Sequence, residues 1–181
     1  FVLSEGGGVL VLAAEEKLAE LDLTPRAEVL GIGWTSDAHH FTLPNQATIV
    51  RAIGDALADA GVGPADIDCI NAHGTSTHKG DKVEVDSLRE VFGDRLPRIP
   101  ISANKSQLGH SLGAAAAVEA VLGIEGLRHQ TLLPTANYLP DPDLGEIDVV
   151  PKVARRQNCE LLLSNAFGFG GTNCCVVFRG V

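Results

Sequence analysis

Short apolar runs separated by stretches of helical periodicity set the main limit on how this 181-residue chain can fold. The clearest example is a strand-like segment at 66–71, in which Ile67, Cys69 and Ile70 lie among three polar residues, followed by a helical pattern at 80–92 and a short apolar run at 99–103. Apolar runs of this length, bounded by polar loops, are typical of buried strands. Because strands that alternate with helices favour a layered arrangement, we predict an α/β layered fold.

Helical spacing elsewhere in the chain extends this prediction. Ile49, Ile53, Leu57 and Ala60 recur at steps of three and four residues, which predicts one buried face on a helix that Pro44 opens. A later alanine-rich run strongly favours a second long helix. The predicted helices occupy 15–21, 44–60 and 80–92, and a fourth begins at about His110 and continues to about 127. The predicted strands occupy 8–14, 27–35, 66–71, 99–103, 160–165 and 174–178.

The composition excludes several classes of function. The net charge is −9 and there is no run of lysine and arginine, which argues against nucleic acid or an anionic membrane surface as the main partner. No apolar stretch approaches the roughly 20 residues that span a bilayer. The four cysteines lack the paired Cys-x-x-Cys spacing of a zinc site, and they favour a reduced, cytoplasmic protein. These cysteines are Cys69, Cys159, Cys174 and Cys175.

Two histidines follow predicted strands, which is where α/β folds place their ligands. His73 lies in the sequence Asn71-Ala-His-Gly-Thr-Ser-Thr77, in which hydroxyl side chains accompany the imidazole. A polar loop that caps the next helix explains this pattern equally well. His110 lies at a second strand-to-helix junction, and two such histidines favour one shared site over coincidence.

The stretch from Asn104 to Glu119 places a lysine and a histidine at the predicted start of a helix. Because a helix N-terminus disfavours extra positive charge, we expect His110 to be neutral. A neutral imidazole donates an N–H bond, which is useful where negative charge develops on a carbonyl oxygen. Lys105 has two candidate carboxylate partners, Glu119 and Glu84, although isolated charges of this kind are usually solvent-exposed.

A third motif, Asn165-Ala-Phe-Gly-Phe-Gly-Gly-Thr-Asn173, lies between two predicted strands. Since it does not open a helix, it does not fit a dinucleotide-binding loop. A simple hairpin turn and a strained turn whose backbone N–H points into a site both remain open. No carboxylate or thiol stands at ligand spacing beside His39, His40 or His78, which disfavours a metal site. The absence of Gly-x-Ser-x-Gly disfavours a Ser-His-Asp hydrolase.

The three motifs together resemble those of the β-ketoacyl-acyl carrier protein synthases, above all the type II elongating enzymes and the ketosynthase domains of polyketide synthases. The matching sequences are 71–77, Lys105-Ser-x-x-Gly-His110 and 165–173, in the same order as in the family. The resemblance implies a thiolase-like layered fold (α-β-α-β-α). It implies that residues 1–26 end the N-terminal ketosynthase half and that residues 27–181 form the C-terminal domain.

The chemistry that this resemblance implies is a decarboxylative Claisen condensation in fatty acid or polyketide biosynthesis. Malonyl-acyl carrier protein loses carbon dioxide, and its carbanion attacks an acyl thioester held on a cysteine. By resemblance, His73 and His110 bind the malonyl thioester oxygen and Lys105 organises the site with Glu119 and Glu84. By the same resemblance, Thr75 and Thr77 bind the phosphopantetheine arm. Phe169 corresponds to the gating phenylalanine, and its backbone N–H joins the acyl oxyanion hole; Phe167 lies beside it.

Three departures from the family pattern stand out. His78 occupies a position that is commonly proline, and Gly113-Ala-Ala-Ala116 replaces Gly-Ala-Ala-Gly. The largest departure is that the nucleophilic cysteine is missing, because none of the four cysteines stands in the family's context for it. We therefore expect an acyltransferase chain that is incomplete and inactive alone, as a fragment, a processed chain or a separate subunit. The lack of any methionine agrees with this expectation.

The resemblance also predicts partners and offers one alternative. The expected partners are an acyl carrier protein and an N-terminal half or companion chain that carries the nucleophilic cysteine, within a homodimer or a ketosynthase heterodimer. No cofactor is expected, because the phosphopantetheine arm arrives on the carrier protein. The alternative is a non-catalytic partner subunit of the chain-length-factor type. Retention of both His73 and His110 argues against this alternative. A cysteine at the nucleophile position would support the enzyme, and another residue there would support the partner subunit.

Overall fold

The computed structural model describes residues 1–181 and contains five α-helices and eight β-strands. The helices are α1 (Glu15–Leu18), α2 (Gln46–Asp59), α3 (His78–Phe92), α4 (Lys105–Leu108) and α5 (Ala115–His129). The strands are β1 (Ala27–Ser36), β2 (Cys69–Asn71), β3 (Pro100–Ser102), β4 (Thr131–Leu132), β5 (Asp148–Val149), β6 (Arg155–Arg156), β7 (Leu161–Gly168) and β8 (Thr172–Gly180). Short 3₁₀ helices occupy Gly93–Arg98, Leu112–Ala114 and Pro142–Leu144.

Six of the strands form one mixed sheet in the order β1-β8-β7-β2-β3-β5. β7, β2, β3 and β5 run parallel to one another, whereas β8 is antiparallel to both β7 and β1. β4 and β6 form a separate antiparallel pair. The carboxyl ends of the four parallel strands therefore meet at one edge of the sheet, which is the edge where α/β folds place ligands.

Helices cover both faces of this sheet, so the predicted layered α/β fold is confirmed. α2 and α3 enclose a core of 17 buried residues on one face, and α5 covers a smaller cluster of 8 on the other. Ile49 and Ile53 are fully buried on the predicted face of α2. That helix lies so close to β1 that a Cβ at Gly33 would stand 1.8 Å from the carbonyl oxygen of Ala52. Glycine at this position therefore permits the close approach of helix and strand.

One predicted element is wrong. The predicted strand at 8–14 does not form, and Val9 and Val11 are 85% and 87% exposed. This segment passes beside α5, where a Cβ at Gly8 would stand 2.8 Å from the backbone of Ala117, and it pairs with no strand that could complete a ladder. The helix predicted to begin near His110 begins at Ala115, after a 3₁₀ turn, and the short helix α4 before it was not predicted.

The other boundaries differ by only a few residues. α2 begins at Gln46 and not at Pro44, because the side chain of Asn45 accepts a hydrogen bond from the N–H of Ala47 (3.1 Å) and caps the helix. β7 continues through Phe167 and Gly168, two residues that were predicted to lie in a turn. None of the helices combines the length and the apolar character that crossing a bilayer requires.

Candidate active site

Three loops converge at the carboxyl edge of the parallel strands. His73 follows β2, Lys105 follows β3 and Phe169 follows β7, and β2 pairs with both of the other strands. All three residues line one cleft of about 880 Å³. The rings of His73 and His110 lie 5.6 Å apart between centroids, edge to face. The predicted shared placement of the two histidines is therefore confirmed.

The His73 ring is neutral and its proton lies on Nε2. Nδ1 accepts a hydrogen bond from the backbone N–H of Phe167 (3.3 Å), so it cannot carry the proton. Burial, and after it the positive charge of Lys105, lowers the pKa of His73 to about 3. The remaining Nε2–H is a donor on the cleft side of the molecule, where His73 contributes to the lining.

Glu84 holds the backbone on which His73 stands. Its carboxylate is buried and accepts hydrogen bonds from the N–H groups of His73 (2.8 Å) and Gly74 (2.9 Å) and from the side-chain amide of Asn165 (3.1 Å). Burial raises the pKa of Glu84, and the two backbone N–H groups oppose this rise. The prediction that Glu84 pairs with Lys105 is wrong, since these hydrogen bonds occupy its carboxylate and no ion pair joins the two residues.

His110 is held in the same tautomer by different contacts. Its Nδ1 accepts from the N–H of Leu112 (3.0 Å), which again leaves the proton on Nε2. Its backbone N–H donates to the carbonyl oxygen of Val2 (2.7 Å), and its carbonyl oxygen accepts from the N–H of Ser4 (3.1 Å). Gly109 permits this pairing, because its φ is +72° and a Cβ there would stand 2.8 Å from the Cβ of Ser4.

The predicted direction for His110 is confirmed. Burial, followed by the charge of Lys105, lowers the pKa of His110. The N–H that its Nδ1 accepts belongs to Leu112, the first residue of the 3₁₀ turn that leads into α5, so a contribution from this helix terminus stays a prediction. The backbone bonds of His110 to Val2 and Ser4 separate α4 from α5, because they replace intrahelical bonds.

Lys105 and Glu119 form a buried ion pair. The ammonium nitrogen lies 2.7 Å and 2.9 Å from the two carboxylate oxygens, and both side chains are at most 5% exposed. Burial raises the pKa of Glu119, while the Lys105 charge and hydrogen bond oppose the rise. The predicted pairing of Lys105 with Glu119 is confirmed. Because the Lys105 ammonium acts on both imidazoles, protonating either ring would place a second positive charge near it.

The Phe169 turn is a tight hairpin between β7 and β8, closed by a bond from the N–H of Gly171 to the carbonyl oxygen of Gly168 (3.1 Å). The N–H of Gly170 donates to the carbonyl oxygen of Phe41 (2.8 Å), whereas the N–H of Phe169 has no acceptor in the chain. The Phe169 ring stacks on Phe41 with centroids 5.4 Å apart. The hairpin alternative is therefore observed, and a role for the free N–H of Phe169 in the site stays a prediction.

The hydroxyls of Thr75 and Thr77 lie 3.1 Å apart and line the same cleft. Cys174 is the one cysteine in the lining, and burial raises the pKa of its thiol, which makes it a poor nucleophile. The other three thiols are buried in the core. No group of three or more histidine, cysteine or carboxylate side chains stands close enough to hold a metal ion.

Several supporting residues were not assigned a role from the sequence. Asp37 binds the N–H of Asn45 (2.9 Å) and the side-chain amide of Asn173 (2.6 Å), and its own N–H donates to Gly171 (2.8 Å). It therefore ties the loop after β1 to the Phe169 turn. The asparagines that begin or end the motifs form buried side-chain hydrogen bonds, and their presence at those ends was the available clue; they are Asn71, Asn104, Asn165 and Asn173.

Comparison with known proteins agrees with this geometry. The sequence profile described as "Beta-ketoacyl synthase, C-terminal domain" matches residues 26–139. The 3-oxoacyl-[acyl-carrier-protein] synthase 2 of Coxiella burnetii is 40% identical over 184 residues, which cover 100% of this chain and 44% of that protein. The chain thus spans less than half the length of this curated relative.

Solved structures give the same result. The ishigamide ketosynthase/chain length factor superimposes with a TM-score of 0.94 at 39% identity, covering 99% of this chain and 44% of that one. A type II polyketide synthase acyl-carrier protein in complex with its ketosynthase gives a TM-score of 0.89 at 32% identity, covering 93% and 42%. The predicted thiolase-like layered fold is confirmed by these neighbours. With the matched profile covering more than half of its residues, the chain belongs to the β-ketoacyl synthase family and carries that family's C-terminal domain.

Proposed function

We propose that this protein acts within a 3-oxoacyl-[acyl carrier protein] synthase, an acyltransferase that condenses malonyl-acyl carrier protein with an acyl thioester. One observation carries the proposal. His73 and His110 are both neutral, and each has its Nδ1 occupied by a backbone N–H. Two Nε2–H donors, on rings 5.6 Å apart, are therefore available to a single carbonyl oxygen in the cleft.

In the proposed reaction the malonyl thioester oxygen accepts both of these hydrogen bonds. The bond between the α-carbon and the carboxylate then breaks, carbon dioxide leaves, and the electron pair forms an enolate whose oxygen the two donors stabilise. Lys105 assists without touching the substrate, because burial of the two rings and, after it, the Lys105 charge keep both rings neutral. The contacts at Nδ1 leave the proton of each neutral ring on Nε2. The enolate carbon next attacks the acyl carbonyl and forms the new carbon–carbon bond. The carbon–sulfur bond of the acyl thioester then breaks, and the sulfur leaves as a thiolate that takes up a proton from solvent.

The acyl carbonyl is proposed to be activated by the free N–H of Phe169 at the hairpin turn. The thiol that holds the acyl group is proposed to come from outside these 181 residues. This is supported by the surroundings of the four cysteines, since three are buried in the core and the pKa of the fourth, Cys174, is raised. On its own the chain is then expected to be inactive in condensation.

The proposed carrier of both substrates is an acyl carrier protein, as in the ketosynthase complex described above. Its phosphopantetheine arm would enter along Thr75 and Thr77, so no separate cofactor is proposed. We also propose a homodimer or ketosynthase heterodimer, a division of the chain at residue 26 and a cytoplasmic location. The four free thiols support a reducing compartment.

A non-catalytic chain-length-factor role is less favoured. Such a subunit has no need of two pre-set imidazole donors, a buried lysine that keeps them neutral and a glutamate that fixes the His73 backbone. His73, His110 and Lys105 line one cleft, and the buried Glu84 is bonded to the backbone of His73 beside it.

The test is the substitution His110→Ala in the longest natural form of the protein that carries this chain. Loss of one preorganised donor is expected to slow decarboxylation about 100-fold or more, while acylation of the nucleophilic cysteine stays near wild type. Radiolabelled carbon dioxide released from malonyl-acyl carrier protein measures the first step, and labelled acyl-enzyme measures the second.

His129→Ala is the matched control, because it removes an exposed imidazole that does not line the cleft. It is expected to leave both steps unchanged. Intact carbon dioxide release by the His110→Ala protein would contradict the role given to this residue and, with it, the proposed reaction.

A further inference from the structure

The stretch of chain from His73 to Lys79 runs along the wall of the cleft from its interior to its mouth. His73 is largely enclosed, Thr75 is half-buried, and Thr77 and Lys79 are exposed. All four residues line the cleft. Moving outward, the wall therefore offers an imidazole donor, two hydroxyl groups and then an ammonium group.

Lys79 is the one lysine of the cleft lining whose ammonium has no carboxylate partner. The other charged side chains there are Asp37, Lys105 and Glu119. Asp37 is occupied by Asn45 and Asn173, and Lys105 pairs with Glu119. Lys79 has neither an ion pair nor a side-chain hydrogen bond in the chain, so its ammonium is free to bind an anion.

The charged neighbours of Lys79 do not neutralise it. His78, the residue before it, lies 3.4 Å from Asp143 and faces that carboxylate. Asp81 on the same helix points into the loop, where it accepts a hydrogen bond from the N–H of Ser76 (3.2 Å). Lys82, one turn further along α3, pairs with Asp86 and stands outside the cleft.

We propose that Lys79 binds the phosphate of the phosphopantetheine arm and so sets a preference for phosphorylated over unphosphorylated arms. The inference rests on the proposed function, since it concerns the substrate of the same cleft. The arm has a thioester at one end, amide groups in its middle and a phosphate at the other end. This order matches the wall, with the thioester at His73, the amides at the hydroxyls and the phosphate at the mouth. A lysine ammonium is a compact point charge suited to a phosphate oxygen.

The experiment measures binding of two probes, 4′-phosphopantetheine and pantetheine, which differ only in the phosphate. The protein is the longest natural form that carries this chain. Because Lys79 is exposed, the wild type is expected to bind the phosphorylated probe about fivefold more tightly at low salt. Lys79→Ala is expected to remove this preference without changing pantetheine binding, and Lys79→Glu to reverse it. Lys82→Ala, the matched control, should retain the wild-type preference.

The possible failures separate the two proposals. If wild type binds both probes equally, or if Lys79→Ala keeps the phosphate preference, the assignment of Lys79 is overturned while the proposed function stands. The assignment is also overturned if Lys79→Ala weakens only carrier-protein binding, because Lys79 would then contact the carrier's surface. If the wild type binds neither probe, arm recognition by this cleft fails, and the proposed function fails with it.

Discussion

The two junctions that carry His73 and His110 share one plan in the sequence but are held in place in different ways. Each histidine follows a parallel strand and precedes a helix that bears a buried glutamate. At the His73 junction, Glu84 accepts bonds from two backbone N–H groups and so fixes the main chain. At the His110 junction, Glu119 binds a lysine side chain and so balances a charge.

This difference shows that the same residue type can support a catalytic histidine through geometry or through electrostatics. His73 is positioned from within the sheet and its following helix. His110 depends on backbone bonds to Val2 and Ser4, which lie more than a hundred residues away in the chain. The substitutions below distinguish geometric support from electrostatic support. A charged side chain can be replaced together with its charged partner, whereas a backbone N–H cannot be removed when its acceptor is replaced.

The largest effect is expected at the ion pair. Glu119→Ala leaves the Lys105 ammonium buried without a counter-charge, which should lower the free energy of unfolding by about 3–5 kcal/mol. In the double variant Lys105→Met/Glu119→Ala both charges are gone, and most of this loss should be recovered. Urea unfolding of the wild type, both single variants and the double variant measures the coupling. A double variant as unstable as Glu119→Ala would show that charge balance is not the role of Glu119.

A smaller effect is expected at the His73 junction. Glu84→Ala removes the acceptor of two backbone N–H groups and one amide, which should cost about 3 kcal/mol of unfolding free energy. Adding Asn165→Ala removes only the amide donor, so little stability should return. Urea unfolding measures both variants, and amide hydrogen exchange at His73 and Gly74 should become faster in each. If Asn165→Ala restored as much of the lost unfolding free energy as is expected for the ion pair, Glu84 would support its junction in the same way as Glu119.

Much of this arrangement could be predicted because it depends on patterns that are local in the sequence. Apolar runs and helical spacing mark the strands and helices, and the parallel strands bring His73, Lys105 and Phe169 to one edge. Glu119 was one of two carboxylate partners that the sequence offered for Lys105, and both lie on helices that follow the histidine motifs.

The remainder depends on contacts between distant parts of the chain. The break between α4 and α5 follows from the pairing of His110 with residues 2–4, and no local pattern marks that pairing. The role of Glu84 was missed because its main partners are backbone N–H groups, which nearly every residue has. The strand predicted at 8–14 has the composition of a buried strand, but composition does not reveal that a pairing neighbour is absent.

The smallest effect concerns the pH dependence that the two junctions impose. Burial and Lys105 lower the pKa of His73 to about 3 in the folded protein, compared with about 6.5 in the unfolded chain. Between these values the unfolded state binds the extra proton, so the contribution to stability is complete above pH 6.5 and is lost as the pH falls towards 3. At pH 5 the loss amounts to about 2 kcal/mol.

Urea unfolding at pH 7 and pH 5 tests this expectation by comparing the wild type with His73→Gln, which cannot titrate at this position. The wild type should lose about 2 kcal/mol more than the variant on acidification. Burial raises the pKa values of Glu84 and Glu119, which acts in the opposite direction but is common to both proteins. His39→Gln, which removes an exposed ring, should behave as wild type, and His110→Gln should have an intermediate effect because that ring is less enclosed. Equal losses in wild type and His73→Gln would mean that His73 titrates normally, and the tight, uncharged setting inferred for its junction would then be wrong.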